Sequence, residues 1–398
     1  MENSSLLRAG LRSNLLSPLS FLVNKKTSPQ PAPAAKPPGQ SSDPYPWILN
    51  PSIDLMLCCG GAFWLFFLIF RLGHFSTFLG STNGGPASLG LMALAVFGLH
   101  FFGDSHFPAT VFRVYGSPST RAALGKPGAI IILCAIAISL LAFTVPGLII
   151  PIAKFNLLWA IQHQLAQAYG ISLLYCYKRK YYLNDKEKFV MQGLVYASMA
   201  FLGIRTLAFK DFGQYSLAGL DVPFWNLVPP WAVSVTVAVQ IAFVIAFAIV
   251  VARKYQRDRV MFPLPALMTL STLMLMPIAA GTSFLVVWYV ISSVWFHSSQ
   301  YLCVTAAYYL KERGLPEGVS YSEIGKLLWT RLSGMYFGVL FLIGFSVCYL
   351  LPCWLATRGI PAGMAFAGVV VGLNFQHFLT DALIWRMRDP AVKKLLVS

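Results

Sequence analysis

The chain has 398 residues, of which 57% are hydrophobic, 14% aromatic and only 11% charged, with a formal net charge of +16 and a mean hydropathy of +0.65. A soluble domain needs roughly twice that share of charged residues to cover its surface, so a soluble globular fold is excluded. Apolar runs of about 18–25 residues are long enough to cross a bilayer as helices, and the alternation of an outer-membrane barrel is absent.

In chain order, residues 1–46 stand apart. A Ser/Leu/Arg-rich opening is followed by the Pro-rich stretch "TSPQPAPAAKPPGQSSDPYP", which reads as a disordered segment. Leu6, Leu7, Leu11, Leu15 and Leu16 are spaced for a short interfacial helix. No continuous apolar core of a secretory signal is visible. An organelle transit peptide is the alternative reading, because Glu2 is the sole acid before Asp43.

Residues 47–390 form the expected transmembrane domain, with 391–398 as a tail. About ten spans are predicted, near 52–70, 87–112, 128–147, 151–176, 189–207, 230–252, 263–281, 283–309, 333–355 and 361–385. The 30 Lys and Arg residues test this assignment. Twenty-five fall on one side of it and five, Arg71, Lys154, Arg205, Lys210 and Arg358, on the other. That asymmetry puts both termini in the cytoplasm. It also accounts for the net charge, so nucleic acid is not read as a partner. The fold expectation is therefore an all-α polytopic transmembrane helix bundle in an inner (cytoplasmic) membrane, an organelle membrane being the alternative. The seven cysteines contain no CxxC pair and are read as small apolar residues rather than a disulfide framework.

The chemistry gathers in the histidines. Of six, His74 falls in a polar loop and is set aside; His100, His106, His163, His297 and His377 fall in spans 2, 4, 8 and 10. These even-numbered spans run in the same direction. His100, His163 and His297 lie 13, 15 and 14 residues before the first basic residue that follows each, a shared depth of roughly 20 Å at helical rise. His377 and His106 are shallower. Four of the five have a polar group at i+4, on the same helical face: Asp104, Gln167, Tyr301 and Asp381.

Ionisable groups in a span are costly and usually face a bundle interior with a purpose. A divalent metal would neutralise the carboxylates and accept the imidazoles. Histidine with carboxylate and no thiolate suits iron, with zinc and manganese as alternatives. The expected ligand pool is His100, Asp104, His106, His163, His297, His377 and Asp381, with Tyr301 and Gln167 orienting a substrate.

This pattern predicts a membrane metalloenzyme, a non-haem iron oxidoreductase acting on a lipophilic small molecule such as an acyl chain, isoprenoid or quinone. The alternatives are transport or proton conduction through the same cluster, or a b-type haem held by two histidines. No P-loop, GxGxxG or GxSxG motif is present.

Three windows, H-x3-Q-x-Y-G (His163 to Gly170), H-x2-Q-Y (His297 to Tyr301) and H-x3-D-x2-I-W-R (His377 to Arg386), resemble segments of uncharacterised bacterial polytopic membrane proteins. The resemblance implies one shared site built from these windows and supplies no reaction.

Overall fold

The computed structural model describes residues 46–72, 93–94, 96–145, 147–208, 215–217, 220–222, 227–279, 293–313, 321–385 and 390–397. The expected N-terminal segment, apart from Pro46, and His74 lie outside these residues.

The first described element is broken. Helix α1 (Pro51–Ile53) is capped by Asn50, whose side chain accepts from Ile53 N at 2.8 Å, with Pro51 at its first position. It widens into a π-helical turn, Asp54–Cys58, before α2 (Gly61–Leu72) departs at a bend of 59°. The buried Asp54 carboxylate holds the break together. It accepts from Ile48 N at 2.6 Å, Leu49 N at 3.0 Å and Tyr175 Oη at 2.8 Å, so a charge that would be costly alone is fully hydrogen-bonded.

A second π-helical turn, Leu99–Asp104, leads into α3 (His106–Tyr115). Ser117 caps α4 (Pro118–Thr144), accepting from Thr120 N at 3.3 Å. Helix α5 (Ile149–Lys178) follows. Asn184 and Glu187 then exchange side-chain-to-backbone bonds of 2.9 Å each, a reciprocal box that starts α6 (Asp185–Ala208). A two-stranded antiparallel hairpin, β1 (Tyr215–Leu217) with β2 (Leu220–Val222), is the sole sheet among the described residues; the fold is otherwise helical.

Helices α7 (Trp231–Asp258) and α8 (Leu264–Ala279) come next. A third π-helical turn, Ser293–Ser298, enters α9 (Ser299–Glu312). After a 3-10 segment (Tyr321–Trp329), α10 (Arg331–Phe345), a π-helical turn (Ser346–Leu350) and α11 (Leu351–Thr357) make one continuous rod. Helix α12 (Ala362–Ile384) and the short α13 (Pro390–Val397) complete the described chain.

Among the described residues, five helical stretches are long and apolar enough to cross a membrane: Thr120–Thr144, Asp185–Ala208, Trp231–Asp258, Arg331–Thr357 and Ala362–Ile384; the bent α1–α2 pair adds a sixth if it counts as one span. Their outer faces carry bare aliphatic side chains, among them Ile130, Leu133, Leu140, Ile241 and Ile245. Such surface is unfavourable in water and at rest in lipid. The chain is thus a multi-pass helical membrane protein. Helix α5 is the instructive exception. Its 30 residues are long enough to cross, but Lys154, Asn156, Gln162, His163, Gln164 and Gln167 make it too polar to join the five.

Helix α12 anchors the arrangement because it packs against α3, α4, α5 and α11. Its contact with α4 depends on Gly368 and Gly372, a small-xxx-small spacing that lets backbones approach. A Cβ at either would collide with Phe143 or Ser139 of α4, and Ser139 Oγ donates to Gly368 O at 2.9 Å.

Candidate metal centre

Four elements converge at mid-bundle: α3 with His106 and Thr110, α5 with His163 and Gln167, the Ser293–Ser298 turn and α9 with His297 and Tyr301, and α12 with His377 and Asp381. All four histidines are buried, His377 completely. The ring centroids of His163 and His377 are 4.7 Å apart, those of His106 and His377 4.7 Å, and those of His163 and His297 5.0 Å.

Among the described residues, two trios have ligand atoms that all lie within 4.8 Å of one another: His163, His377 and Asp381, and His106, His297 and His377. The first is tight. His163 Nε2 is 3.0 Å from His377 Nε2, and Asp381 Oδ2 is 3.7 Å from the former and 3.6 Å from the latter. Two atoms that each sit about 2.0–2.2 Å from one ion cannot be more than about 4.4 Å apart. All three separations meet that limit, so the trio fits a single metal ion. The buried carboxylate supplies the negative charge such an ion requires.

Hydrogen bonds fix which ring nitrogens are bare. Tyr301 Oη donates to Asp381 Oδ1 at 2.8 Å, which uses its only proton. Thr110 Oγ1, 2.7 Å from Tyr301 Oη, must then donate to it. The hydroxyl proton of Thr110 is thereby committed, so at 2.6 Å from His377 Nδ1 its oxygen accepts from the ring N–H. His377 is left with an unprotonated Nε2 facing His163 and Asp381. His106 follows the same logic: Nδ1 lies against Gly103 O, which only accepts, so Nε2 is bare. An N–H held by an oxygen partner with the opposite nitrogen free is the usual condition of a metal-ligating histidine. His297 Nδ1 is buried without a hydrogen-bond partner among the described residues, the loose end expected where a donor set awaits a cation.

Gln167 takes a supporting position. Its Nε2 donates to His297 O at 2.8 Å and to Gln300 Oε1 at 3.1 Å, and Gln300 Nε2 donates to Cys58 O at 2.6 Å. This relay joins α5 to the widened turn that carries His297 and to the α1 break. π-helical turns leave carbonyls open to such bonds and recur at functional sites.

Of the five histidines in the expected ligand pool, the structure brings four together, His106, His163, His297 and His377. His100 takes no part in either trio. Its Nδ1 pairs with Asp104 Oδ2 at 2.8 Å, and its ring lies against Tyr349, with centroids 4.6 Å apart. His106, the shallower residue, takes its place. The reason is rotational. Six residues at about 100° each put His100 and His106 on different sides of a helix, and the π-helical turn between them shifts the phase again. Asp104 is paired with His100 and likewise belongs to neither trio. Arg386, which ends the third of the sequence windows, lies outside the described residues.

Thr110 was not singled out in the sequence, yet the signal was present. It is i+4 from His106, the relation already noted for the other four histidines.

A cavity of about 330 Å³ adjoins the trio. His163, Tyr301, Asp381 and Gln167 form its polar wall, and Trp159, Phe378, Trp385, Ile171 and Leu174 much of the rest. Gln162, Gly170 and Ala382, which line it between α5 and α12, are exposed, so the cavity opens sideways on the bundle. Its size is at the lower end of small-molecule sites.

No family model, no curated protein and no solved structure matches this chain.

Proposed function

We propose that the protein is an integral membrane metalloenzyme whose ion is held by His163, His377 and Asp381. In this reading it is a non-haem iron oxidoreductase acting on a lipophilic small molecule. The observation that carries it is the trio itself: two imidazoles and one carboxylate within 3.0–3.7 Å of one another. Two histidines and one carboxylate on one face of an ion, with positions left open, are the donor set of non-haem iron oxygenases. Iron held there would supply oxygen-dependent redox chemistry.

The chain's own residues do the rest. Thr110 holds the His377 ring by its Nδ1–H, and Tyr301 holds the second oxygen of Asp381. His106 and His297 back His377 and are within reach if the ion shifts or gains ligands. The aromatic cavity beside the trio excludes water and receives an apolar molecule through its sideways mouth. Gln167 lines that cavity and is positioned to orient it.

The two alternatives fare less well. A haem between two of these histidines needs an open slot for the macrocycle, whereas His163 and His377 touch at 3.0 Å with other imidazoles around them. A proton wire should lead across the membrane, whereas the hydrogen bonds from His163 through His377, Thr110 and Tyr301 end on Asp381, whose other oxygen is 3.7 Å from His163, so the chain of bonds turns back on itself.

For topology, ten spans with both termini on the basic, cytoplasmic side remain our reading. It is supported by a described helix or part of one in each expected span window.

Elemental analysis with an optical spectrum of the purified protein tests the function. The expected result is about one iron per chain without a Soret band, lost in His377→Ala and Asp381→Ala. A Soret band, or wild-type protein that takes up no metal from an iron-supplemented buffer, would overturn it.

A further inference from the structure

The two trios have one residue in common, His377. Its Nδ1–H is held by Thr110, so the ring has a single lone pair to give, on Nε2, and one lone pair serves one ion. The trios cannot both be filled. They are two sides of one site centred on His377 Nε2, with His163 and Asp381 on one side and His106 and His297 on the other. His106 is prepared for this role, because its Nδ1 lies against Gly103 O and its Nε2 is bare. His297 is 3% exposed, and its Nδ1 has no hydrogen-bond partner among the described residues.

The ring spacings fit one ion. An imidazole nitrogen about 2.0–2.1 Å from a metal puts the ring centre about 3.2 Å from it, so two rings on one ion have centres about 4.5 Å apart at a right angle and at most about 6.4 Å apart. The separations among the four histidines are 4.7 Å for His106–His377, 4.7 Å for His163–His377, 5.0 Å for His163–His297, 5.6 Å for His106–His297 and 6.0 Å for His297–His377. All fall inside that interval. The ligand atoms of His106, His297 and His377 lie within 4.8 Å of one another, at most a few tenths of an ångström beyond the separation of about 4.4 Å that one ion permits. A small rotation of the rings closes the set.

We propose that a single ion is held by five ligands, His106, His163, His297, His377 and one oxygen of Asp381, with one coordination position left, facing the cavity. This rests on the reading of His163, His377 and Asp381 as ligands, and it adds two donors to them. Asp381 gives one oxygen because the other accepts from Tyr301. Of these five residues, His163 and Asp381 line the cavity and the other three do not. The remaining position of an octahedral ion therefore opens on the cavity side, and His106 and His297 close the side away from it. Such a site admits one small monodentate ligand, such as azide or dioxygen. It rejects a co-substrate that chelates through two oxygens, such as a 2-oxo acid or a catechol. The lipophilic molecule is held by the aromatic wall of Trp159, Phe378 and Trp385 without bonding to the ion.

X-ray absorption at the iron edge of the iron-loaded full chain in detergent counts the imidazoles around the ion. Four are expected, falling to three in His106→Ala and in His297→Ala. Each variant should bind iron at least about tenfold more weakly, since loss of a ligand costs no less than loss of an outer partner. The ferric wild type should develop a charge-transfer band with azide and none with catechol. A count of two or three imidazoles in the wild type, or a catecholate band, overturns the proposal. So does iron affinity unchanged in both variants. Where a variant fails to fold, the wild-type count and the catechol titration decide alone. Failure here is separable from failure of the metal reading. Iron bound by the wild type and lost in Asp381→Ala, with affinity intact in His106→Ala and His297→Ala, leaves the three-ligand centre standing and removes the added ligands. Wild type that takes up no iron removes both.

Discussion

Replacing Thr110 by valine keeps the branched shape of the side chain and deletes one oxygen, the one that lies 2.6 Å from His377 Nδ1 and 2.7 Å from Tyr301 Oη. The site is buried, Thr110 and His377 completely, so water has little room to replace the hydroxyl. The Nδ1–H of His377 then lacks an acceptor, at a cost of about 1–3 kcal/mol for an unsatisfied buried donor. Moving the proton to Nε2 would relieve that cost, but it blocks the lone pair that faces His163 and Asp381. Either outcome weakens the metal site, and loss of such an outer partner typically lowers metal affinity about 10–100-fold. Competitive metal titration of metal-depleted wild type, Thr110→Val and Thr110→Ser is the assay. Serine retains the hydroxyl and should remain within a few-fold of wild type, whereas valine should fall by the full factor. Equal affinity in all three would refute both the proton order deduced for His377 and its role as a ligand through Nε2.

Further outcomes follow from the same geometry. His163→Ala should abolish metal binding while His100→Ala leaves the stoichiometry unchanged, since His100 is paired with Asp104 outside both trios; elemental analysis of the two variants decides it. Gly372→Val should destabilise the α4–α12 contact by about 1–3 kcal/mol, the usual cost of overpacking, because a Cβ there collides with Ser139; a thermal melt in detergent reads the loss. Gly170→Leu should weaken binding of a lipophilic small molecule in the cavity at least several-fold without loss of metal. Gly170 lines the cavity, and a Cβ on it meets nothing within 4 Å, so the added side chain fills space without strain; fluorescence titration and elemental analysis on one sample separate the two effects.

Much of this protein is legible in the order of its residues. Apolar runs long enough to cross a bilayer, separated by basic loops, set the helical membrane class because lipid leaves backbone amides no partner outside the helix. The windows around His163, His297 and His377 were also readable, since an i+4 neighbour shares a helical face whatever the helix packs against. Three decisions were not local. The choice of His106 over His100 depends on the rotational phase of α3 after the Leu99–Asp104 turn, and a one-residue widening changes which side of the helix meets the bundle. The pairing of Thr110 with both His377 and Tyr301 joins residues 267 and 191 positions apart, a distance that only the packing of α3 against α9 and α12 can close. The cavity exists because α5, α9, α12 and α13 leave space between them, and no residue carries a mark of that space. Sequence thus determined which side chains were available at which depth. Tertiary structure decided which of them meet, because contact depends on the rotation and spacing of whole helices, and those are set by packing along their entire length.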